Sequence, residues 1–279
     1  MPTHPEFVLS QIEGDYLVDY ALFTGALREY LTRTIEERFK ADPNDVHRRF
    51  FTLAVFHQEY SAYEDLGAML DAIMTHQVNS NVPILSRIAA YKVGEVQLSA
   101  VMNRFSVSSA DDLYDRLGLA DLIPLVWAEI LPNIQLVKVL KTCASFFFVD
   151  CQKSQRREGL QAFNKLKHGL LAVPEASIYA PGISVDAPAT IFRTSNSKAD
   201  SLEKPITIYA IRMGAEEIED RLRAIHFVQS NLRLLAALLA IRYQPNRVVK
   251  RLGSASNLLT HPNMKAVVDF ARQVSDSAT

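Results

Sequence analysis

One stripe of side chains constrains the fold more than any other feature of this chain. Between His47 and His76, the residues Thr52, Phe56, Glu59, Tyr63, Leu66, Leu70 and Ile73 recur every three or four positions. At about 100° per residue they share one face of a long helix. All tolerate burial except Glu59, whose charge inside a core demands a tyrosine or arginine from another helix. A buried carboxylate is also a candidate acid or base, because desolvation raises its pKa. A helix with such a face needs other elements to cover it.

The flanking sequence supplies them. Asp15–Lys40 reads as a first helix, with Leu17, Tyr20, Leu27, Leu31 and Ile35 at helical spacing. Asp42-Pro43-Asn44-Asp45 breaks it and can cap the next helix. Helical patterns follow over Pro83–Phe105, over a short piece opened by Ser109 and Asp112, and over Asp121–Leu131. Asn133–His168 contains no proline and reads as one long helix or as two broken near Ser154. Ala215–Tyr243 carries Ile218, Leu222, Ile225, Leu232, Leu235 and Leu239 on its core side, with Pro245 at its end. Asn263–Val274 is a last amphipathic piece. The pattern changes between 176 and 213, where short runs such as Thr190-Ile191-Phe192-Arg193 and Ile206–Ile211 alternate with Pro, Gly, Asp and Ser. The expected architecture is mainly α: a helical bundle with a small antiparallel β insertion at 176–213 before the last long helix. No repeat or linker interrupts it, so 1–279 reads as a single domain.

Charge and cysteine usage narrow the function classes. Thirty lysines and arginines meet thirty-one acidic residues, a formal net charge of −1, so any nucleic-acid contact must be local rather than global. Cys143 and Cys151 lie eight residues apart on one predicted helix, too far along a rigid rod to bond each other, and read as reduced thiols. The opening Met1-Pro2-Thr3-His4-Pro5-Glu6 lacks the pattern of a signal peptide. The most apolar segments, Cys143–Cys151 and Leu232–Ile241, fall short of the roughly 20 residues needed to span a bilayer. A cytoplasmic location without membrane association is the expectation. The sequence holds no HExxH, no CxxC, no phosphate-binding glycine loop and no nucleophile elbow. No glutamate is followed three residues later by histidine, so the di-iron bundle pattern is absent. Neither a metal nor another cofactor is expected.

Chemistry concentrates near the middle of the chain. Arg157, Gln161, Asn164 and His168 are spaced 4, 3 and 4 residues apart, which places polar groups on one helical stripe. Lys153, Arg156, Arg157, Lys165, Lys167 and His168 form a basic patch opposed within that span only by Glu158. An imidazole can take and return a proton near neutral pH. Asn164, one turn earlier, can orient the ring or donate to an oxyanion. Arg156, Lys165 and Lys167 can bind phosphate charge. The structural alternative is that Gly169 caps the helix and His168 bonds the last carbonyls. On the last long helix His226 and Arg233 share a face and would join this site if that helix packed beside it.

The run Asn164-Lys165-Leu166-Lys167-His168-Gly169 on a core helix resembles the HEPN superfamily, the helical domains named for higher eukaryotes and prokaryotes nucleotide-binding. It is similar to that family's arginine-polar-x-x-x-histidine signature, with Asn164 at the polar position and His168 at the histidine. The arginine position falls on Phe163, which cannot donate to a phosphate, and Arg157 is the nearest substitute on the same stripe. The resemblance implies an RNA- or nucleotide-binding protein, a metal-independent ribonuclease of a defence or toxin type, with a site formed across a homodimer interface. In that scheme Arg157, Asn164 and His168 are catalytic, and Arg156, Lys165 and Lys167 hold phosphate. The alternative from another class is a non-catalytic helical scaffold for dimerisation or partner docking.

Overall fold

The computed structural model describes residues 5–90, 115, 117–122, 172–173, 189–194, 208–213, 216–265, 267 and 269. In it the protein is mainly α. The described helices are α1 (Pro5–Asp19), α2 (Gly25–Ala41), α3 (Asp45–Val78), α4 (Ile84–Ala90), α5 (Glu216–Tyr243), α6 (Pro245–Leu252) and α7 (Ala255–Leu259). A single π-helical turn, Tyr20–Thr24, joins α1 to α2. The first predicted helix is therefore interrupted by a change of helical type.

Every residue of the predicted stripe on α3 is buried, from Thr52 to Ile73. Buried Thr52 satisfies its hydroxyl by donating to the carbonyl of Arg48 at 2.9 Å. The turn before α3 works as its composition suggests. Asp42 accepts from the Asn44 N–H at 2.9 Å, and the Asn44 side chain accepts from the His47 N–H at 3.3 Å. On α5 all six predicted core positions are buried. Pro245 does more than end α5: it occupies the first turn of α6, where its missing N–H costs nothing.

Where the sequence suggests one domain, contacts within the chain group into two compact units. One comprises Met1–Glu29, Ala62–Gln152 and His226–Thr279; the other comprises Tyr30–Ser61 and Lys153–Ile225. The core of the first gathers Leu17, Val18, Ala21 and Leu22 with Leu66, Leu70 and Ile73 of α3 and Leu232, Leu235 and Leu239 of α5. The core of the second is smaller: Val55 of α3 with Ile218, Leu222 and Ile225 of α5, flanked by Ile35 and Phe39 of α2. The divisions at 29/30, 61/62 and 225/226 fall inside α2, α3 and α5, so no linker marks them.

The described strands are β1 (Ala172–Val173), β2 (Ala189–Thr194) and β3 (Ile208–Met213), ordered β1-β2-β3. β2 and β3 pair antiparallel in a register that sets Ala189 opposite Met213 and Thr194 opposite Ile208. β1 pairs antiparallel with β2 through Ala172–Ile191 and Val173–Thr190.

Two expectations are corrected. Leu27 and Leu31 do not face a core; they are 59% and 43% exposed, while Gly25 turns inward. The reason lies on α5, where buried Arg233 needs partners. Gly25 lets that side chain approach and Glu29 accepts from it at 3.1 Å, so α2 turns its small and polar residues inward. The apolar stretch of α5 is also longer than expected. Ile218–Tyr243 is long and apolar enough, by length and composition, to cross a bilayer, and 72% of its most apolar window is buried inside the protein.

Candidate functional site

The residues singled out by sequence, Arg156, Arg157, Asn164, Lys165, Lys167 and His168, lie outside the described residues. So do Cys143, Cys151 and Phe163. Three further candidates are described. Glu59 is ion-paired with Arg221, whose guanidinium also stands over the Phe56 ring at 5.1 Å. Glu59 is thus a structural carboxylate held by an arginine, the partner its buried position demands. Arg233 is only 2% exposed. Its Nε donates to the Ala21 carbonyl at 2.8 Å, Nη1 to Glu29, and Nη2 to the Asn263 carbonyl. Burial lowers its pKa, and Glu29 works against that shift. Arg233 therefore has no guanidinium face to offer a phosphate. His226 is half-buried and holds an interaction of its own.

Arg233 shapes a different site. Two carbonyls of the π-helical turn accept from side chains. Arg233 takes Ala21, and the Asn263 side chain donates to the Leu22 carbonyl at 3.1 Å. Gly25 closes the turn because a Cβ there would stand 2.5 Å from Arg233 Cγ. This holds Tyr20 one turn beyond Tyr16, with ring centroids 5.9 Å apart and planes tilted by 43°.

Both tyrosines line a cleft of about 270 Å³. Its other walls are Glu64, Asp65, Ala68 and Met69 of α3 and Ile88 of α4. On α3 these four sit one turn apart in pairs, next to the apolar stripe rather than on it. Asp65 is tied from behind by Arg28, which donates through Nε at 2.9 Å and Nη2 at 2.5 Å, both to Oδ2. Oδ1 is left for another donor. Gln229 is buried on α5, where its amide, oriented with the nitrogen toward the Gly25 carbonyl, donates to it.

Burial raises the pKa of Asp65, Arg28 opposes that shift, and the charge of Glu64 adds to it. Burial also raises Tyr16 and Tyr20, and the Asp65 charge raises both further, so the phenols stay neutral. Yet the Asp65 side chain is 40% exposed. Crowded by neighbours but touched by water, it sits where a concave surface would place it. α4, which supplies Ile88, is pinned by two buried carboxylates. Glu13 accepts from the Leu85 N–H at 2.9 Å, and Asp71 accepts from Arg87 Nε at 2.7 Å.

Nothing in the sequence announced this cleft. Tyr16 and Tyr20 are four apart, and Glu64 and Asp65 are adjacent, but neither spacing separates a cleft from an ordinary surface. Among the described residues, no group of three or more His, Cys, Asp or Glu is placed to hold a metal ion. No protein-family model matches this chain, and neither does a curated protein or a solved structure.

Proposed function

We propose that this chain is a HEPN-like helical protein of the cytoplasm that binds RNA or a nucleotide and, as a homodimer, cleaves RNA without a metal, in a defence or toxin role. One observation carries the reading: Arg157, Asn164 and His168 have the sequence spacing of one helical stripe within a local excess of cations, on a chain with a net charge of −1. A protein without a global positive field that concentrates positive charge around an imidazole favours a compact phosphate ligand there. The mainly α fold is consistent with the resemblance. In the same reading, residues 176–213 form a β insertion into the helical fold.

In the proposed step His168 removes the proton of a ribose 2′-hydroxyl. The O2′–P bond forms as the P–O5′ bond breaks, and the leaving 5′-oxygen takes up a proton, giving a 2′,3′-cyclic phosphate. Asn164 orients the imidazole. Arg157, in place of an arginine at position 163, stabilises the charge gathering on phosphorus, while Arg156, Lys165 and Lys167 bind the flanking phosphates.

The test is cleavage of single-stranded RNA by the purified protein in excess chelator, compared with His168→Ala. General acid–base catalysis contributes about 10²–10⁴-fold, so the variant is expected to lose at least about a hundredfold in rate while keeping its RNA affinity. Equal rates would remove His168 from the mechanism. Lowered thermal stability with unchanged RNA binding and no cleavage by either protein would favour the non-catalytic scaffold, in which His168 caps its helix.

A further inference from the structure

After α7 the chain returns to the π-helical turn, and His261 sits where the two meet. Residues 262–265 are helical, so His261 stands at the cap of that helical turn and Pro262 is its first residue. The imidazole makes the cap. The Asn263 N–H donates to His261 Nδ1 at 3.1 Å, and the Met264 N–H donates to the His261 carbonyl at 2.8 Å. A backbone N–H can only donate, so the ring nitrogen that faces it carries no proton. Histidine here does the work of a capping asparagine, except that a proton abolishes its acceptor. His47 and His76 are placed the other way. Their Nδ1 atoms face the Asp42 carboxylate and the Val82 carbonyl, partners that a protonated ring keeps.

The capped segment holds the π-helical turn. The Asn263 side chain donates to the Leu22 carbonyl at 3.1 Å, and the Asn263 carbonyl accepts from Nη2 of Arg233, whose Nε is on the Ala21 carbonyl. The His261 ring stands edge-on to Phe23, with centroids 6.3 Å apart and planes at 79°. The charged and titratable groups that reach this corner are Arg233 from α5, Glu29 from α2 and Tyr20 from the π-helical turn, with Lys265 one turn on in the same segment. Glu29 accepts from Arg233. A further cation on His261 would meet Arg233 and the positive end of its own helical turn. The ring is only partly buried, so protons reach it.

We propose that His261 is a pH-operated latch on the π-helical turn. Neutral, it caps the segment and keeps Asn263 on Leu22 and Arg233. Protonated, it loses the Asn263 N–H, and the segment leaves the turn. The closed state accepts only the neutral ring, so the latch is closed above the range in which imidazoles titrate and opens as pH falls through it. The device is independent of the ribonuclease reading, because it uses none of the residues proposed to bind RNA.

Hydrogen–deuterium exchange of the full chain, corrected for the intrinsic pH dependence of amide exchange, tests this at about pH 7.5 and about pH 5.5, on either side of the histidine range. Protection of the Asn263 and Met264 amides should fall about tenfold at the lower pH, the scale of a lost cap beside an adverse dipole. The core amides of α3 from Leu66 to Ile73 should keep theirs. His261→Asn retains an acceptor at the cap and cannot titrate, so its protection should be the same at both pH values. His261→Ala should be open at both. Thermal melting shows whether each variant is folded, and His261→Asn keeps the test decisive if His261→Ala is not. Equal protection of the wild type at the two pH values overturns the latch. So does an equal loss across α3, or a loss in His261→Asn as large as that of the wild type.

Discussion

At the scale of single residues, the described structure turns on one buried cation. Arg233 lies in a helix long and apolar enough to cross a bilayer, and its three donor nitrogens find two carbonyls and a carboxylate. A buried guanidinium left short of partners would cost several kcal/mol, so each neighbour is constrained by it. Gly25 carries that constraint most sharply. A methyl group there would meet Arg233 Cγ at 2.5 Å and the Tyr20 carbonyl at 2.8 Å, closer than real Cβ atoms come. Gly25→Ala is therefore expected to destabilise the protein by about 1–3 kcal/mol, the usual range for overpacking. Urea unfolding followed by circular dichroism would measure it. A neutral or stabilising effect would mean that the turn relaxes freely and that Tyr20 is not held as described. Glu59 gives the opposite lesson. Its burial reads as candidate chemistry in a linear sequence, and Arg221 turns it into packing.

At the scale of elements, α1 and α6 are laced together by charge. Arg247 donates to both oxygens of Asp15, through Nε to Oδ1 at 2.8 Å and through Nη2 to Oδ2. Arg251 reaches Oδ1 of Asp15 at 3.3 Å and Asp19 at 2.7 Å. The hydrogen bonds from Arg247 hold the Asp15 carboxyl below its ordinary value of 3.8, against the opposing effect of burial. A carboxylate whose folded-state pKa is depressed contributes stability that is complete above the unfolded value. That contribution fades as pH falls through the folded value. The wild type should thus lose stability across acidic pH below about 4 partly through this group. Asp15→Asn should show a flatter stability profile in that window and lower stability than wild type near neutral pH. Thermal melting from pH 2 to pH 7 checks both, and parallel profiles would show that Asp15 does not couple to folding. About a third of the side chain is exposed, so water screens the effect and its size is modest.

At the scale of the whole molecule, charge balance decides how a nucleic acid could be held. A formal charge of −1 supplies little long-range attraction, so RNA binding in the proposed reading rests on a few local cations. Each phosphate neutralised on a single strand contributes about −0.7 to the slope of log affinity against log salt. Replacing Lys165 and Lys167 together by alanine should reduce that slope by about 1.4 and weaken binding evenly across sequences. Fluorescence anisotropy with a labelled single-stranded RNA over a salt series measures it. An unchanged slope would place the phosphates elsewhere on the protein.

The sequence by itself determined the elements whose signal is local and periodic. The stripe from Thr52 to Ile73, the six core positions of α5 and the Asp42–Asn44 turn were legible because helical periodicity and capping act over a few residues. The demand of Glu59 for a partner was legible too, though the partner was not. Tertiary structure alone decided which face of α2 turns inward, because that depends on Arg233, some two hundred residues away in sequence. It alone decided that two compact units draw on discontinuous segments and divide within α2, α3 and α5, where no composition shift marks a boundary. It also made the cleft. Four chemistry-bearing side chains on α1, the π-helical turn and α3 converge only through tertiary packing, and no spacing along a chain encodes that meeting.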